Sequence, residues 1–163
     1  MSRVYHGRPT VFSERMTDRI PIRLRARETS VCVEAATRAG ITLSSFIRSA
    51  ALVRAGVEAG KTASATVSLR RPQSGRPIRL PVAMTGEQRK AIEAAAEKAR
   101  ARVDEWIILA AVEAAAADLE ASGIRPEAAE AARVAASAVY QRIAIRNEAA
   151  AAIARSRGPE VAS

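Results

Sequence analysis

The arginines of segment 19–25 are the side chains whose type and spacing are best suited to chemistry in this sequence. The segment alternates strictly between two kinds of residue, and successive side chains of a strand point to opposite faces. One face holds Arg19, Pro21, Arg23 and Arg25, and the other holds Ile20, Ile22 and Leu24. Proline donates no backbone hydrogen bond, so Pro21 requires an edge strand, which a two-stranded ribbon supplies. The sequence therefore predicts a short strand with a basic, acid-free face.

The charge distribution predicts an anionic partner for the first half of the chain. The 163 residues hold 26 Lys and Arg against 17 Asp and Glu, a formal charge of +9. Residues 1–80 contain 15 basic and 5 acidic side chains, whereas residues 81–163 contain 11 and 12. Nucleic acid and an anionic membrane surface are the leading candidates. The sequence is poor in the Trp, Phe and Leu that a membrane-binding face needs, so we expect no membrane partner.

The residue types argue against catalysis, metal binding and a cofactor. The single cysteine, Cys32, excludes a disulfide within the chain, and the single histidine, His6, excludes the usual zinc sites. No phosphate-binding loop, dinucleotide fingerprint or nucleophile elbow occurs. We therefore expect no enzyme. No segment approaches the length of a membrane span, and the start lacks the apolar core of a signal peptide, which predicts a cytoplasmic protein.

Helical spacing and punctuation divide the chain into short units. Alanine accounts for 38 residues, and it favours helix while burying little area, so we expect small helical units that need oligomerisation or duplication of a motif. One helix is predicted over 26–39 and a second from Thr42 towards Gly56. Residues 1–18 are predicted to form a flexible basic arm with Arg3, Arg8 and Arg15. Residues 58–78 are predicted to be a linker, in which 65–69 favours a short strand.

The sequence repeats itself without gaps at a spacing of 60 residues, with about nine of 39 aligned positions identical. Alanine inflates that count, so the matched strand and the Phe46/Trp106 pair carry more weight. The repeat predicts strand–helix–helix twice, over 19–57 and 79–121, followed by a C-terminal helix over 126–156. The predicted core consists of Ile20, Ile22, Leu24, Phe46, Ile47, Leu80, Val82, Met84, Trp106 and Ile107.

The segment RIPIRLRARE, followed by AGITLSSFIRSAAL, resembles the ribbon-helix-helix superfamily of the Arc/MetJ type. The resemblance covers 19–57 well and 79–117 more loosely. It implies a mainly α fold with a short two-stranded antiparallel ribbon, in tandem ribbon-helix-helix form with an added C-terminal helix. In that family the ribbon enters the major groove of double-stranded DNA and its outward side chains contact base edges.

The resemblance also implies roles for individual residues. Base contacts fall to the outward ribbon positions, and an arginine fork suits guanine O6 and N7. Phosphate contacts fall to the start of the second helix, where N–H groups and short hydroxyls are available; the same residues also suit plain helix capping. The positions implied are Arg19, Pro21, Arg23, Arg25 and Arg79 for bases, and Thr42, Leu43, Ser44, Ser45 and Arg102 for phosphates.

The second repeat departs from this pattern. Its second helix opens with Asp104 and Glu105, whose carboxylates suit the helix dipole but would repel a phosphate. The second repeat is therefore predicted to contribute less to DNA binding. Two arrangements satisfy strand pairing: an intrachain pseudo-dimer of the two repeats, favoured because a tethered partner has a high effective concentration, or a homodimer that pairs like with like.

The process that the protein serves stays open at the level of sequence. The tandem plan resembles conjugation accessory proteins of the TraY kind, and GITLSSFIRSAAL is similar to both ribbon-helix-helix antitoxins and plasmid mobilisation proteins. These resemblances imply a transcriptional regulator or a relaxosome accessory of a mobile element. The alternative is an antitoxin that autoregulates its operon. The predicted helix over 126–156 either packs on the rest of the chain or binds a toxin or a relaxase.

Overall fold

The computed structural model describes residue 16 and residues 18–57 and 77–157. Most of the predicted basic arm, including Arg3, Arg8 and Arg15, lies outside them, as do most of the linker and the 65–69 strand. Helices account for 73% of the described residues. The elements are β1 (Asp18–Leu24), α1 (Ala26–Arg38), α2 (Leu43–Arg54), β2 (Ile78–Met84), α3 (Gly86–Lys98), α4 (Val103–Ser122) and α5 (Pro126–Ser156). The prediction of a mainly helical chain with a two-stranded antiparallel ribbon is confirmed.

The two strands pair with each other within the chain, and their register is centred on two prolines. Pro21 lies directly opposite Pro81, Arg19 opposite Ala83, and Arg23 opposite Arg79. Opposed prolines fit where the backbone N–H positions of the pair point away from the partner strand, so the ribbon loses no hydrogen bond there. Pro21 and Pro81 are also equivalent in the 60-residue repeat. An approximate two-fold axis therefore passes through this pair and relates the two strands.

The helices begin and end at residues suited to those positions. Thr42 caps α2 by accepting a hydrogen bond from the Ser45 N–H at 3.0 Å. Thr85 and Gln88 form a reciprocal capping box at the start of α3, with distances of 3.0 and 3.2 Å. Gly40, just beyond α1, has a φ of 67°, a conformation that glycine adopts without strain. These local signals explain the close agreement between the predicted and observed helix limits.

Each half of the chain packs onto the strand of the other half. Helix α2 packs against β2, and α4 packs against β1, beneath the apolar face of the ribbon. The common core buries nine of the ten side chains predicted for it, namely Ile20, Ile22, Leu24, Phe46, Ile47, Val82, Met84, Trp106 and Ile107. Leu80 differs from the prediction, because it is only half-buried and packs against the edge of this core. Because the second helix of each half packs on the strand of the other half, neither half encloses a core alone.

Helix α5 completes the structure by lying along α4 and α1. Its inward side chains, including Ala132, Val139 and Ile143, are buried. Arg142 of α5 donates a hydrogen bond of 2.6 Å to Glu28 of α1, whose side chain is only 3% exposed. The described residues include no helix that combines the length and the apolar character needed to cross a membrane.

Candidate nucleic-acid interface

The outer face of the ribbon is formed by the side chains that point away from the helices. Alternation along each strand places them there, because the intervening residues belong to the core. The residues of this outer face are Arg19, Pro21 and Arg23 from β1, and Arg79, Pro81 and Ala83 from β2. All are exposed except Ala83, which is half-buried. The strands thus present three arginines around a middle formed by two opposed prolines.

Uncompensated positive charge is the main electrostatic property of this outer face. Arg23 lies directly opposite Arg79, and like charges in that relation destabilise a strand pair. Over residues 18–57 and 77–157, neither of these arginines nor Arg19 forms an ion pair, whereas Arg38, on the helical side, pairs with Asp118. An anion bound across the strands would relieve the repulsion between the two guanidiniums. The outer face is therefore suited to a polyanion.

The start of α2 lies beside the ribbon. The Ser44 hydroxyl donates a hydrogen bond to the carbonyl oxygen of Pro81 at 3.4 Å, and the Thr42 hydroxyl donates one to the Ser45 hydroxyl at 2.9 Å. The Leu43 side chain is buried, which fixes the first turn against the core. The N–H groups of Leu43 and Ser44 are the first two of the helix, so they have no acceptor within it. These donors and the positive end of the helix dipole are the groups at this helix start that suit an anion.

The equivalent helix start in the second half has a different electrostatic environment. Arg102 precedes α4, and its guanidinium binds the Asp104 carboxylate through two hydrogen bonds of 3.1 and 3.0 Å. Glu105 forms an ion pair with Arg146 of α5. The Arg102 guanidinium, predicted to contact phosphate, is thus engaged by a carboxylate two residues away. The two helix starts differ in charge although the repeat makes them equivalent in position.

Arg25 lies at the end of the ribbon rather than on its outer face. It is the N-cap residue of α1, and its backbone N–H donates a 2.8 Å hydrogen bond to Glu28. Its side chain is exposed and forms no ion pair within the described residues. Arg25 therefore adds positive charge next to the outer face while its backbone terminates the strand.

The described ranges contain no arrangement suited to metal binding and no reactive thiol. No group of three or more His, Cys, Asp or Glu residues within them is placed to hold a metal ion. Burial raises the pKa of the Cys32 thiol well above its usual range, and the nearby Glu28 carboxylate raises it further. Cys32 is fully buried in α1, so its thiol is both protonated and shielded.

Sequence patterns did not find the polar contacts that hold the helices beside this interface. Arg54 of α2 stacks over the Trp106 ring at 5.6 Å and forms an ion pair with Glu113 of α4. Tyr140 of α5 donates a 2.6 Å hydrogen bond to the same carboxylate. The partners come from three helices far apart in sequence, so local spacing carries no signal for them.

Comparisons with protein-family models, with curated proteins and with solved structures found no match to this chain.

Proposed function

We propose that this chain is a sequence-specific double-stranded DNA-binding protein of the ribbon-helix-helix type, in which two units of one chain form a single ribbon. The observation that carries the proposal is the outer face of the ribbon, where Arg23 and Arg79 lie opposite each other without an acidic partner within the described residues. The major groove of B-DNA is about 12 Å wide and admits a two-stranded ribbon. The ribbon enters this groove with its outer face towards the base edges.

The three arginines of the outer face are assigned to base contacts in this proposal. A guanidinium is planar and pairs bidentately with guanine O6 and N7. Arg19 and Arg23 come from one strand and Arg79 from the other, with Pro21 and Pro81 between them at the centre. The prolines keep the middle of the ribbon free of charge, and Arg25 and the basic arm add attraction to phosphates.

The start of α2 is assigned to a phosphate at the edge of the groove. Its free N–H groups and the helix dipole favour an anion there, as does the Ser45 hydroxyl, which accepts from Thr42 and keeps its own proton free. The Ser44 hydroxyl donates to Pro81, so Ser44 offers a phosphate its backbone N–H. At the equivalent start of α4, Asp104 and Glu105 oppose such a contact. The proposal therefore includes unequal binding of the two DNA half-sites and an asymmetric recognition sequence.

For the biological process, we propose a cytoplasmic transcriptional regulator or a relaxosome accessory of a mobile element. An antitoxin is the alternative, and the structure bears on it through α5. The inward side of α5 is already buried against α1 and α4. A toxin or relaxase would therefore have to bind the outward side of α5, where Val134 and Ile145 are exposed. A toxin gene beside this one would favour the antitoxin, and a relaxase gene would favour the relaxosome.

The test is selection of bound sequences from a random duplex pool, followed by binding assays with R19A/R23A. Loss of each bidentate contact is expected to cost about 1–3 kcal/mol of discrimination between sites. The matched control is R125A/R133A, which removes the same charge at the opposite end of α4 and α5. Recovery of no preferred sequence by the wild-type protein would contradict the proposal. Unchanged site preference in R19A/R23A would contradict the assignment of these two residues.

A further inference from the structure

Helix α5 runs antiparallel to α4, and three side-chain contacts fix the register between them. Near the connecting turn, Arg133 lies 3.0 Å from Glu120. Midway, Tyr140 donates its hydrogen bond to Glu113, and at the start of α4 Arg146 pairs with Glu105. A residue farther along α5 therefore lies level with a residue correspondingly nearer the start of α4. Continuing this register places residue 149 level with the first residue of α4.

Residues 149–156, the last eight of α5, and its C-cap residue Arg157 therefore extend past the start of α4; we call these nine residues the α5 overhang. All nine are exposed, including Ile153 at 54%. With a rise of 1.5 Å per residue, the overhang extends about 13 Å. Its first six residues are five alanines and Ile153, and elongation of an existing helix through alanine needs no new nucleation. The overhang is thus a helical rod that buries almost nothing.

The direction of the overhang follows from the position of α4. Helix α4 packs against β1 as α2 packs against β2, and the start of α4 is equivalent in the 60-residue repeat to the start of α2, where Ser44 reaches the Pro81 carbonyl. The start of α4 accordingly lies at the ribbon end of the helical body. A helix that continues past this point leaves the body beside the ribbon, on the side of the second half.

This side of the protein lacks the helix start that the proposed function assigns to a phosphate in the first half. Asp104 and Glu105 occupy the equivalent turn, and Arg102 and Arg146 are engaged by them. The overhang ends with Arg155 and Arg157, both exposed and without an ion pair among the described residues. These two positive charges also offset the negative end of the α5 dipole, which alone would disfavour a phosphate.

We propose that the α5 overhang contacts the DNA backbone flanking the half-site of the second repeat, with Arg155 and Arg157 bound to phosphate oxygens. This inference rests on the proposed function, since it requires the ribbon to lie in the groove. The alanines hold the two arginines at a fixed distance from the ribbon. The second half thereby contacts the backbone farther from the centre than the first half does, and by side chains rather than by a helix start.

Two variants separate the charge of the overhang from its rigidity. R155Q/R157Q removes both charges, and A151G/A152G keeps the charges but weakens the rod, because glycine disfavours helix. On a selected duplex with long flanks, both variants are expected to bind more weakly than the wild type. Each phosphate contact contributes roughly 0.9 to the slope of the logarithm of the DNA-binding constant against the logarithm of salt concentration. Loss of two contacts in R155Q/R157Q should therefore make this slope shallower by about two. Hydroxyl-radical footprints should lose protection on one flank only.

Controls distinguish failure of this inference from failure of the proposed function. R125A/R133A should keep the wild-type footprint, and a duplex truncated at the second flank should bind the wild type and both overhang variants equally. If the wild type protects no preferred site, the proposed function is wrong. If the wild type protects a site and R155Q/R157Q matches it in footprint and salt slope on the long duplex, only the overhang contact is wrong.

Discussion

Arg100 occupies the position in the second half that Gly40 occupies in the first, and both residues have a positive φ, 51° for Arg100 and 67° for Gly40. Each follows the first helix of its repeat, where a left-handed residue reverses the chain. Glycine adopts this conformation freely, whereas a residue with a Cβ atom incurs a cost of about 1–2 kcal/mol. The second turn therefore carries backbone strain that the first does not.

Replacing Arg100 with glycine is expected to stabilise the protein by up to about 1 kcal/mol, because relief of the strain exceeds the added entropy of the unfolded chain. The measurement is the free energy of unfolding from guanidinium denaturation. R100A is the matched control, since it removes the same charge but keeps a Cβ atom in the left-handed conformation. Equal stability of R100G and R100A would show that the backbone conformation is not the cause.

The ion pair between Arg142 and Glu28 is expected to fix α5 onto α1. R142M leaves the buried Glu28 carboxylate with only the Arg25 N–H as a partner, and loss of a hydrogen bond to a charged group costs about 2 kcal/mol. E28Q should cost less than R142M, because glutamine keeps the capping role that Gln88 has in the second half. Denaturant unfolding followed by circular dichroism measures both.

The control for this ion pair is R125M, which removes an arginine bound to Glu34 and Glu127 on the surface. Exposed pairs contribute little, so R125M should lower the free energy of unfolding by less than about 1 kcal/mol. An R142M variant as stable as R125M would contradict the importance of the buried carboxylate.

D104S is expected to strengthen DNA binding on the side of the second half, provided that the proposed function holds. Serine is the residue at the equivalent position 44, and the substitution removes a carboxylate while freeing the Arg102 guanidinium. The salt dependence of binding should steepen by about one phosphate contact. Fluorescence anisotropy of a selected duplex across a salt series measures this slope. The control E130S removes a negative charge near the α4–α5 turn, and an equal effect of both variants would attribute the change to net charge alone.

The sequence predicted the ribbon and the helices because their determinants are local. Alternation defined β1, the repeat identified β2, and the threonine and glycine positions located the helix ends. The core prediction failed partly at Leu80, because periodicity defines which face a side chain occupies but not how completely other elements cover it. The sequence pattern fitted pairing of the two repeats within one chain and pairing of like repeats in two chains. The strand register is therefore known from the structure alone.

Contacts made by charged side chains could not be predicted from the sequence. Arg142 and Glu28 are separated by 114 positions, and nothing in the spacing of either residue indicates the other. Arg102 was assigned to phosphate by its position in the repeat, yet its closest anion is Asp104. An arginine reaches far enough to choose among several carboxylates, so the choice depends on the packed arrangement of the helices.

The pairing of β1 with β2 in one polypeptide has a consequence for how such a ribbon can evolve. In a ribbon built from two identical chains, every mutation appears twice, once on each side of the axis. Here a mutation changes one side only, so aspartate can stand at position 104 while serine remains at position 44. The two sides can therefore diverge independently. Because both strands belong to one chain, dilution does not dissociate them as it would dissociate a dimer.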